Sequence, residues 1–333
     1  MRAVPGAQAR PPRSTLRTLL LRRLKALGVL LLVIALGAGS AYLFAPGLVL
    51  RGDYALQAWQ ADLHTRAVRV GATRWVYYEG GKGPTLVLLH GFGGSRENWL
   101  PTARYLGRNF HLIIPDLPGY GASSPIPGAD AGVHAQAQRL AGFVDALKLQ
   151  HFALAGHSMG GAIAGVYAAE HPERVGALAL LDSAGLPFRP NAFARAVAAG
   201  QNPFTYSDRA QFARFMRLIF VKPPYVPPRI AGVLIARNVA AQPFLDATLA
   251  RLRAPADADA LVPVLPGLTM PVLGLWCNGD RVIDPSALDA LRKGLSAAPQ
   301  IGTSLLNGCG HMPIMEEPRA TADALTRFLT GAP

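Results

Sequence analysis

A serine between two glycines is the strongest chemical signal in the chain. The segment Gly156-His157-Ser158-Met159-Gly160 fits the pattern G-x-S-x-G and stands between an apolar run and an Ala/Gly-rich stretch. Between a strand and a helix, this pattern forms a tight turn that exposes the serine hydroxyl at the helix N-terminus. The pattern therefore predicts that Ser158 is a nucleophile.

A serine hydroxyl becomes a strong nucleophile only beside a base that a carboxylate orients. With G-x-S-x-G in this setting, the chain order is serine, acid, histidine. His311 follows the last apolar run and Asp280 follows the run before it, so we expect these two to complete the site. Asp182 is the alternative acid. Asp284 precedes Pro285 and is expected to cap a helix.

Two backbone N–H groups are expected to bind the oxyanion of the tetrahedral intermediate. One belongs to Met159, directly after the serine, and the other to Phe92 in the glycine-rich segment 90–94. Glycine-rich loops also bind phosphates, but this one continues into neither GK[ST] nor a dinucleotide fingerprint. His90 and His157 flank glycine turns and are expected to be structural.

Short apolar runs that end in turns alternate with stretches of helical periodicity, of which 135–149 and 287–295 are the clearest. A short hairpin over 67–78 precedes them. This alternation predicts a mostly parallel sheet with helices on both faces and a site at the carboxyl ends of the strands. The predicted strands are Thr85–Leu89, Phe110–Ile114, Phe152–Ala155, Val175–Leu181, Val272–Trp276 and Thr303–Leu306.

These motifs resemble those of the α/β-hydrolase superfamily over roughly residues 66–330, and the serine argues against epoxide hydrolases and haloalkane dehalogenases. The chain looks most like membrane-anchored monoacylglycerol lipases of the abhydrolase-domain-6 type and related bacterial lipases. The resemblance implies an α/β-hydrolase fold: an eight-stranded, mostly parallel sheet, helices on both faces and a helical cap. One departure is Cys277, where relatives usually have glycine. The motifs are His90-Gly91-Phe92-Gly93-Gly94, Asp116-Leu117-Pro118-Gly119-Tyr120-Gly121, Gly156-His157-Ser158-Met159-Gly160-Gly161, Asn307-Gly308-Cys309-Gly310-His311 and Met315-Glu316-Glu317-Pro318.

Residues 187–268 interrupt the strand–helix alternation and are expected to form a helical cap between two core segments, 66–186 and 269–333. Within them, four apolar residues recur at helical spacing opposite Arg209, Arg214 and Arg217. We expect a hydrophobic acyl site on one face and contact with an anionic membrane on the other. Packing of the stripe onto the core is the alternative. The four residues are Phe212, Phe215, Met216 and Ile219.

The net charge of +13 is confined to two regions. Residues 1–52 carry eight basic and no acidic residues, residues 187–268 carry ten basic and four acidic residues, and the rest is almost neutral. We find no nucleic-acid-binding motif and expect no nucleic-acid partner, no metal and no cofactor.

The N-terminal region has the pattern of a membrane protein: a basic tail over 1–25, an uncharged stretch over 26–50 and a linker over 51–65. About 20 apolar residues cross a bilayer, so 26–50 is expected to be a transmembrane anchor. The positive-inside rule predicts a cytoplasmic N-terminus and a catalytic domain on the outer side. The alternative is a signal peptide cleaved within Ala38–Ala41.

Cys277 and Cys309 stand three residues before Asp280 and two before His311. If the last two strands are neighbours, the cysteines could meet beside the site. A disulfide and two buried free thiols are both compatible with an exported protein.

The leading interpretation is a serine hydrolase that cleaves lipid esters, most naturally monoacylglycerols. A hydrolase of C–C bonds in vinylogous diketones uses similar machinery and is the enzyme alternative. A noncatalytic membrane-tethered binding module is the alternative of another class.

Overall fold

The computed structural model describes residues 13–126, 128 and 130–331, with side chains from residue 17 onward. The chain divides into two compact units, Met1–Arg51 and Gly52–Pro333. In the first unit, helix α1 runs over Arg13–Phe44. Within its segment Arg17–Phe44, a window of 18 residues has a mean hydropathy of 2.3, and the segment is long and apolar enough, by length and composition, to cross a membrane.

The expected limits of the N-terminal segments need correction. The uncharged stretch 26–50 is not one helix, because α1 ends at Phe44 and α2 occupies Pro46–Gln60. The expected linker 51–65 is instead helical as far as Gln60 and then enters the first strand. Of the basic tail 1–25, residues 1–12, with Arg2 and Arg10, lie outside the described residues.

The second unit is built on an eight-stranded sheet of order β1-β2-β4-β3-β5-β6-β7-β8. Strand β1 pairs antiparallel with β2, and β2 pairs antiparallel with β4, while β3 to β8 are parallel. The expected hairpin over 67–78 is confirmed and is longer than expected. The strands are β1 Leu63–Val70, β2 Thr73–Gly81, β3 Thr85–Leu89, β4 His111–Pro115, β5 Phe152–His157, β6 Val175–Leu181, β7 Val272–Cys277 and β8 Ile301–Leu306.

The inner strands are almost continuous apolar runs because both of their faces are covered. Every residue of β7 is buried, whereas the edge strand β8 alternates between exposed and half-buried residues. The helices that connect the parallel strands lie on the two faces, with α3 against α12 and α4 against α5. The helices are α3 Leu100–Leu106, α4 Val133–Ala146, α5 Met159–Glu170, α10 Ala287–Gly294, α11 Pro313–Glu316 and α12 Pro318–Thr330.

The strand order determines where a crevice forms at the carboxyl ends of the strands. From β3 the chain moves to β4 on one side, and from β5 it moves to β6, β7 and β8 on the other side. Right-handed crossovers then place the helices after β3 and β5 on opposite faces, so the loops that follow these two strands diverge. The segments that begin at His90 and Ser158 therefore meet at the switch point of the sheet.

The insert expected over 187–268 holds four helices between β6 and β7. They are α6 Ala192–Ala198, α7 Arg209–Ile219, α8 Pro228–Leu252 and α9 Pro255–Ala258. The amphipathic pattern of α7 is present in the structure. Phe212 and Ile219 are buried, while Arg209, Arg214 and Arg217 are exposed.

Candidate active site

Ser158 occupies the turn between β5 and α5. Its backbone has a φ of +55°, a left-handed value that is costly for a residue with a side chain. The turn is tight: a Cβ on Gly156 would lie 2.1 Å from the carbonyl oxygen of Gly160. Only glycine fits there, which explains why the pattern needs small residues on both sides of the serine.

Ser158, His311 and Asp280 form one buried row of hydrogen bonds. His311 Nε2 lies 2.9 Å from Ser158 Oγ, and His311 Nδ1 lies 2.8 Å from Asp280 Oδ2. The other oxygen of Asp280 accepts the backbone N–H groups of Val282 and Ile283 at 2.7 and 3.1 Å. Because Nδ1 faces a carboxylate, we assign the ring proton to it, which leaves the Nε2 lone pair for the serine hydroxyl.

Asp182, the alternative acid, and Asp284 do not belong to this row, because the ring nitrogens of His311 contact Asp280 and Ser158. Asp182, at the end of β6, is fully buried and borders Asp280. Asp284 was expected to cap a helix, but the N-cap of α10 is Ser286. Asp284 instead accepts the backbone N–H of Ser286 at 3.0 Å and pairs with Arg189 at 3.3 Å.

The two expected oxyanion donors are unoccupied N–H groups near the serine. Among the described residues, neither the backbone N–H of Met159 nor that of Phe92 has a hydrogen-bond acceptor. The segment before Phe92 approaches Ser158 closely, since a Cβ on Gly91 would lie 2.9 Å from Ser158 Cβ. A carbonyl carbon attacked by Ser158 would therefore bring its oxygen close to this glycine-rich segment.

His90 and His157 have structural contacts, as the sequence predicted. His90 Nε2 accepts the backbone N–H of Leu117 at 3.0 Å, and Nδ1 donates to the carbonyl of Gly91 at 2.8 Å. His157 Nε2 donates to the carbonyl of His311 at 2.6 Å. Burial lowers the pKa of His90 to about 4 and that of His157 to about 3, so both rings are neutral.

A disulfide joins the two loops that carry the acid and the histidine. Cys277 ends β7, Cys309 follows β8, and their Cα atoms lie 5.3 Å apart. Of the two alternatives left open by the sequence, the structure contains the bonded pair. The backbone N–H of Gly279 also donates to the carbonyl of Cys309 at 3.1 Å. The loops of Asp280 and His311 are thus joined by a covalent bond and a hydrogen bond.

Glu316 connects the cap with the histidine loop, a role that sequence reasoning missed. One carboxylate oxygen accepts the backbone N–H groups of Val221 and Lys222, both at 2.9 Å, and the other accepts that of Gly310 at 2.6 Å. Val221 and Lys222 follow α7 of the cap. The only signal in the sequence was the acidic residue five positions after His311.

Aromatic side chains of the cap reach the glycine-rich segment. The ring of Phe204 lies 5.3 Å from that of Phe92 and 5.1 Å from that of Phe193. Leu245 of α8 approaches Gly93, where a Cβ would lie 3.9 Å away. Phe204 was missed because it stands in an irregular segment with no hydrophobic periodicity.

The four apolar residues proposed for the acyl site have different surroundings. A cavity of about 610 Å³ lies within the cap, and Phe215 is the only one of the four that lines it. Phe212 packs on Tyr206, and Ile219 belongs to the buried core. Met216 is half-buried against that core. The alternative interpretation, in which these apolar residues pack onto the core, therefore holds for part of α7.

Asp182, Asp280 and His311 are the described residues that come close enough to hold a metal ion, with one donor atom of each within 4.8 Å of the others. The donor atoms of His311 and Asp280 are already engaged. Both ring nitrogens of His311 have partners, and the carboxylate of Asp280 accepts three N–H groups. The arrangement fits proton transfer better than metal coordination, which needs free lone pairs.

Comparisons with known proteins identify the family of the chain. Residues 84–318 match the family described as alpha/beta hydrolase fold. Lipase 1 of Psychrobacter immobilis is 31% identical over 275 residues, which cover 81% of this chain and 85% of that lipase. Monoacylglycerol lipase ABHD6 of Homo sapiens is 30% identical over 259 residues, 75% of this chain and 76% of that protein. A solved structure of a membrane phospholipase A is 37% identical, with a TM-score of 0.82, over 92% of this chain and 98% of that chain.

Proposed function

The chain belongs to the α/β-hydrolase family, and from that premise we propose that it is a membrane-anchored lipase whose preferred substrates are monoacylglycerols. Its similarity to lipases over four fifths of the chain identifies it as a carboxylic ester hydrolase that acts on lipids. The finer choice of monoacylglycerols rests on the similarity to ABHD6 and on the aromatic contact between Phe92 of the glycine-rich segment and Phe204 of the cap.

In the proposed reaction, Ser158 Oγ attacks the ester carbonyl while His311 Nε2 takes the hydroxyl proton. Asp280 holds the resulting imidazolium through Nδ1. The N–H groups of Met159 and Phe92 stabilise the oxyanion. His311 then protonates the leaving glycerol, an acyl group remains on Ser158, and water activated by His311 releases the fatty acid.

One observation carries the proposal: the unbroken row from Ser158 through His311 to Asp280, with contacts of 2.9 and 2.8 Å. All three side chains are buried, so water does not compete with these hydrogen bonds. Beside the row, the N–H groups of Met159 and Phe92 have no acceptor among the described residues, and the Phe92 ring contacts Phe204 of the cap. Acyl transfer chemistry needs these parts together.

We further propose that α1 anchors the enzyme with its N-terminus in the cytoplasm and the catalytic domain outside. Its uncharged part, 26–44, is about 28 Å long, close to the thickness of the hydrocarbon core. Arg22, Arg23 and Lys25 immediately precede this part, as expected at a cytoplasmic boundary. Protease protection of the catalytic domain in inside-out vesicles, with an intact N-terminus by mass spectrometry, tests the topology. A mature N-terminus near Ala41 would instead indicate a cleaved signal peptide.

The exposed arginines of α7 are proposed to contact anionic lipid. The full-length protein in mixed micelles should gain activity when anionic lipid is added, and this gain should shrink when Arg209, Arg214 and Arg217 are replaced by glutamine. A matched set of exposed basic residues in the core serves as the control: Arg108, Lys293 and Arg319. Equal gains in both variants would contradict a membrane-facing cap.

The 37% identity with a membrane phospholipase A favours phospholipid esters as a second candidate substrate class. A panel given to the full-length enzyme in detergent separates the candidates. It should contain monoacylglycerols, diacylglycerols, lysophospholipids, phospholipids, a short aryl ester and a vinylogous diketone. We expect the highest kcat/KM for monoacylglycerols. A preference for phospholipids supports the second candidate, and a preference for the diketone supports C–C bond hydrolysis.

Ser158→Ala should abolish turnover and fluorophosphonate labelling. Asp280→Asn should reduce kcat by about 10³- to 10⁴-fold, because the histidine loses its orienting acid. Asp284→Asn is the matched control and should leave kcat within about twofold, since Asp284 lies outside the row. Activity that survives in Ser158→Ala would overturn the mechanism, and a wild-type protein that fails to react with the probe would support a noncatalytic binding module.

A further inference from the structure

A second buried carboxyl group, that of Asp182, stands beside the acid of the row. Asp182 follows β6 directly, and its backbone N–H donates to the carbonyl of Leu275 on β7 at 2.9 Å. Its φ is +42°, an unusual value for aspartate in a fully buried position. Neighbouring parallel strands thus deliver Asp182 and Asp280 to the same place.

The two oxygens of Asp182 have different surroundings. Oδ1 accepts the backbone N–H of Cys277 at 3.0 Å. Oδ2 is buried and has no hydrogen-bond donor among the described residues. A buried acceptor without a donor is unfavourable, and more so when it is charged. A carboxyl group that itself carries the proton on Oδ2 removes this cost.

Asp280 lies beside Asp182, and a side-chain hydrogen bond between the two carboxyl groups is one of the causes that raise the pKa of Asp182. A carboxylate oxygen of Asp182, one of Asp280 and a ring nitrogen of His311 lie within 4.8 Å of one another. Both oxygens of Asp280 already accept N–H groups, whereas Oδ2 of Asp182 accepts none from the described residues. Two carboxyl groups beside each other in a buried site disfavour double ionisation, and the free Oδ2 is the position for the shared proton.

The charges around Asp182 act in the same direction. Asp280 and Glu316 both act on it with negative charge. Burial, followed by the charge of Asp280, raises the pKa of Asp182 well above its usual range. The one favourable contact with the anion, from the N–H of Cys277, does not offset these two effects.

We propose that Asp182 is a protonated positioning residue, whose carboxylic acid O–H donates a hydrogen bond to the carboxylate of Asp280 and holds it against His311. This inference rests on the proposed function, in which Asp280 orients the base. The hydrogen bond fixes the rotamer of Asp280 and makes its carboxylate a weaker base. The proton that His311 takes from Ser158 therefore stays on the imidazole, where the leaving group needs it. At high pH, loss of the Asp182 proton places two anions side by side and disturbs Asp280.

The test compares two substitutions in the full-length protein in detergent. Asp182→Asn keeps an acceptor for the Cys277 N–H and supplies an N–H donor to Asp280, so kcat at pH 8 should stay within about threefold of wild type. Asp182→Ala removes both groups, and kcat should fall at least about 30-fold with KM within about twofold. The alkaline fall of kcat in the wild-type profile should be absent from Asp182→Asn. Equal losses in the two variants would overturn the proposal.

Infrared difference spectroscopy gives a readout that does not depend on activity. At pH 8 the wild type should show a protonated carboxyl band that shifts in D₂O and is missing from Asp182→Asn. Asp116, whose pKa burial raises to about 6, is ionised at this pH and does not contribute. Absence of the band would overturn the proposal even if Asp182→Ala fails to fold. Ser158→Ala should retain the band, so failure of the proposed ester hydrolysis and failure of this inference are distinguishable.

Discussion

The carboxylate of Glu316 accepts the backbone N–H of Gly310 at 2.6 Å, one residue before His311. The other oxygen of the same carboxylate accepts two N–H groups at the end of the cap helix α7. A Cβ on Gly310 would also lie 2.9 Å from the carbonyl oxygen of Ile219. The histidine loop and the cap are therefore in close contact, and one anionic group connects them.

Replacing Glu316 by glutamine should loosen this connection. An amide has one acceptor oxygen, so its NH₂ group must face either Gly310 or the N–H pair of the cap, and a hydrogen bond to a charged group worth about 1.5–3 kcal/mol is lost. We expect Glu316→Gln to lower kcat about tenfold because His311 is held less firmly. Steady-state kinetics on a monoacylglycerol measures this.

Glu317→Gln is the matched control for that variant. Glu317 is the next residue, and its side chain accepts no hydrogen bond within the described part of the chain. Its kcat should remain within about twofold of wild type. Equal kinetics for the two glutamine variants would show that the contact with Gly310 does not matter for turnover.

The disulfide between Cys277 and Cys309 should contribute strongly to stability. The two cysteines are 32 residues apart in the sequence, and closing a loop of this length stabilises a fold by about 4 kcal/mol in the chain-entropy description. Denaturant unfolding of the full-length protein in detergent should show a loss of this order for the double alanine variant. Reduced wild-type protein keeps both sulfur atoms. Comparing it with the double alanine variant therefore separates the effect of losing the bond from the effect of losing side-chain packing. A loss below about 1 kcal/mol in both samples would contradict the expectation.

Gly91→Ala tests the position of the glycine-rich segment. The added Cβ would lie 2.9 Å from Ser158 Cβ and 3.1 Å from His157 Nδ1, so the segment must move away from the serine. If Phe92 supplies an oxyanion donor, kcat should fall about 10- to 100-fold while the protein remains folded. Gly232→Ala in α8, where a Cβ meets no atom within 4 Å, is the control. A Gly91→Ala enzyme with unchanged kcat would remove Phe92 from the mechanism.

His157 should make the protein less stable in acid. Burial lowers its pKa to about 3, whereas the unfolded chain has the ordinary value of about 6.5. Between these values the unfolded state binds the extra proton, so the contribution of His157 to the free energy of unfolding falls as the pH falls. The loss between pH 7 and pH 5 should be about 2 kcal/mol.

Asp116 and Asp182 have raised pKa values and oppose this trend, so the measurement must be a difference. The stability of wild type minus that of His157→Gln should shrink by about 2 kcal/mol from pH 7 to pH 5. His151→Gln removes an exposed histidine instead, and its difference from wild type should stay constant. A constant difference for His157→Gln as well would mean that His157 is protonated in the folded protein.

The sequence predicted the sheet well because each core strand is an apolar run closed by a glycine or a polar residue. Since β5, β7 and β8 are parallel, their carboxyl ends share one edge, and Ser158, Asp280 and His311 were expected to meet there. Their proximity follows from strand ends and helix starts alone. No knowledge of side-chain packing was needed.

Other features depend on contacts between segments that are distant in sequence. The partners of Glu316 are backbone N–H groups of the cap, which leave no trace in residue types. The segment 51–60, expected to be part of a linker, is instead the second part of helix α2. The aromatic contact between Phe92 and Phe204 depends on how the cap folds back over the sheet, which local periodicity does not encode.

The edge strand β8 has a partner on one side only, and the disulfide lies just beyond its last pairing, Cys277 with Leu306. This geometry determines at which end β8 can begin to separate from the sheet. Strand β8 can separate from β7 starting at Ile301, but its other end stays bound to β7 until the bond is broken. Fraying of this edge therefore proceeds toward the histidine loop and stops before it. His311 thus follows the end of the strand that opens last.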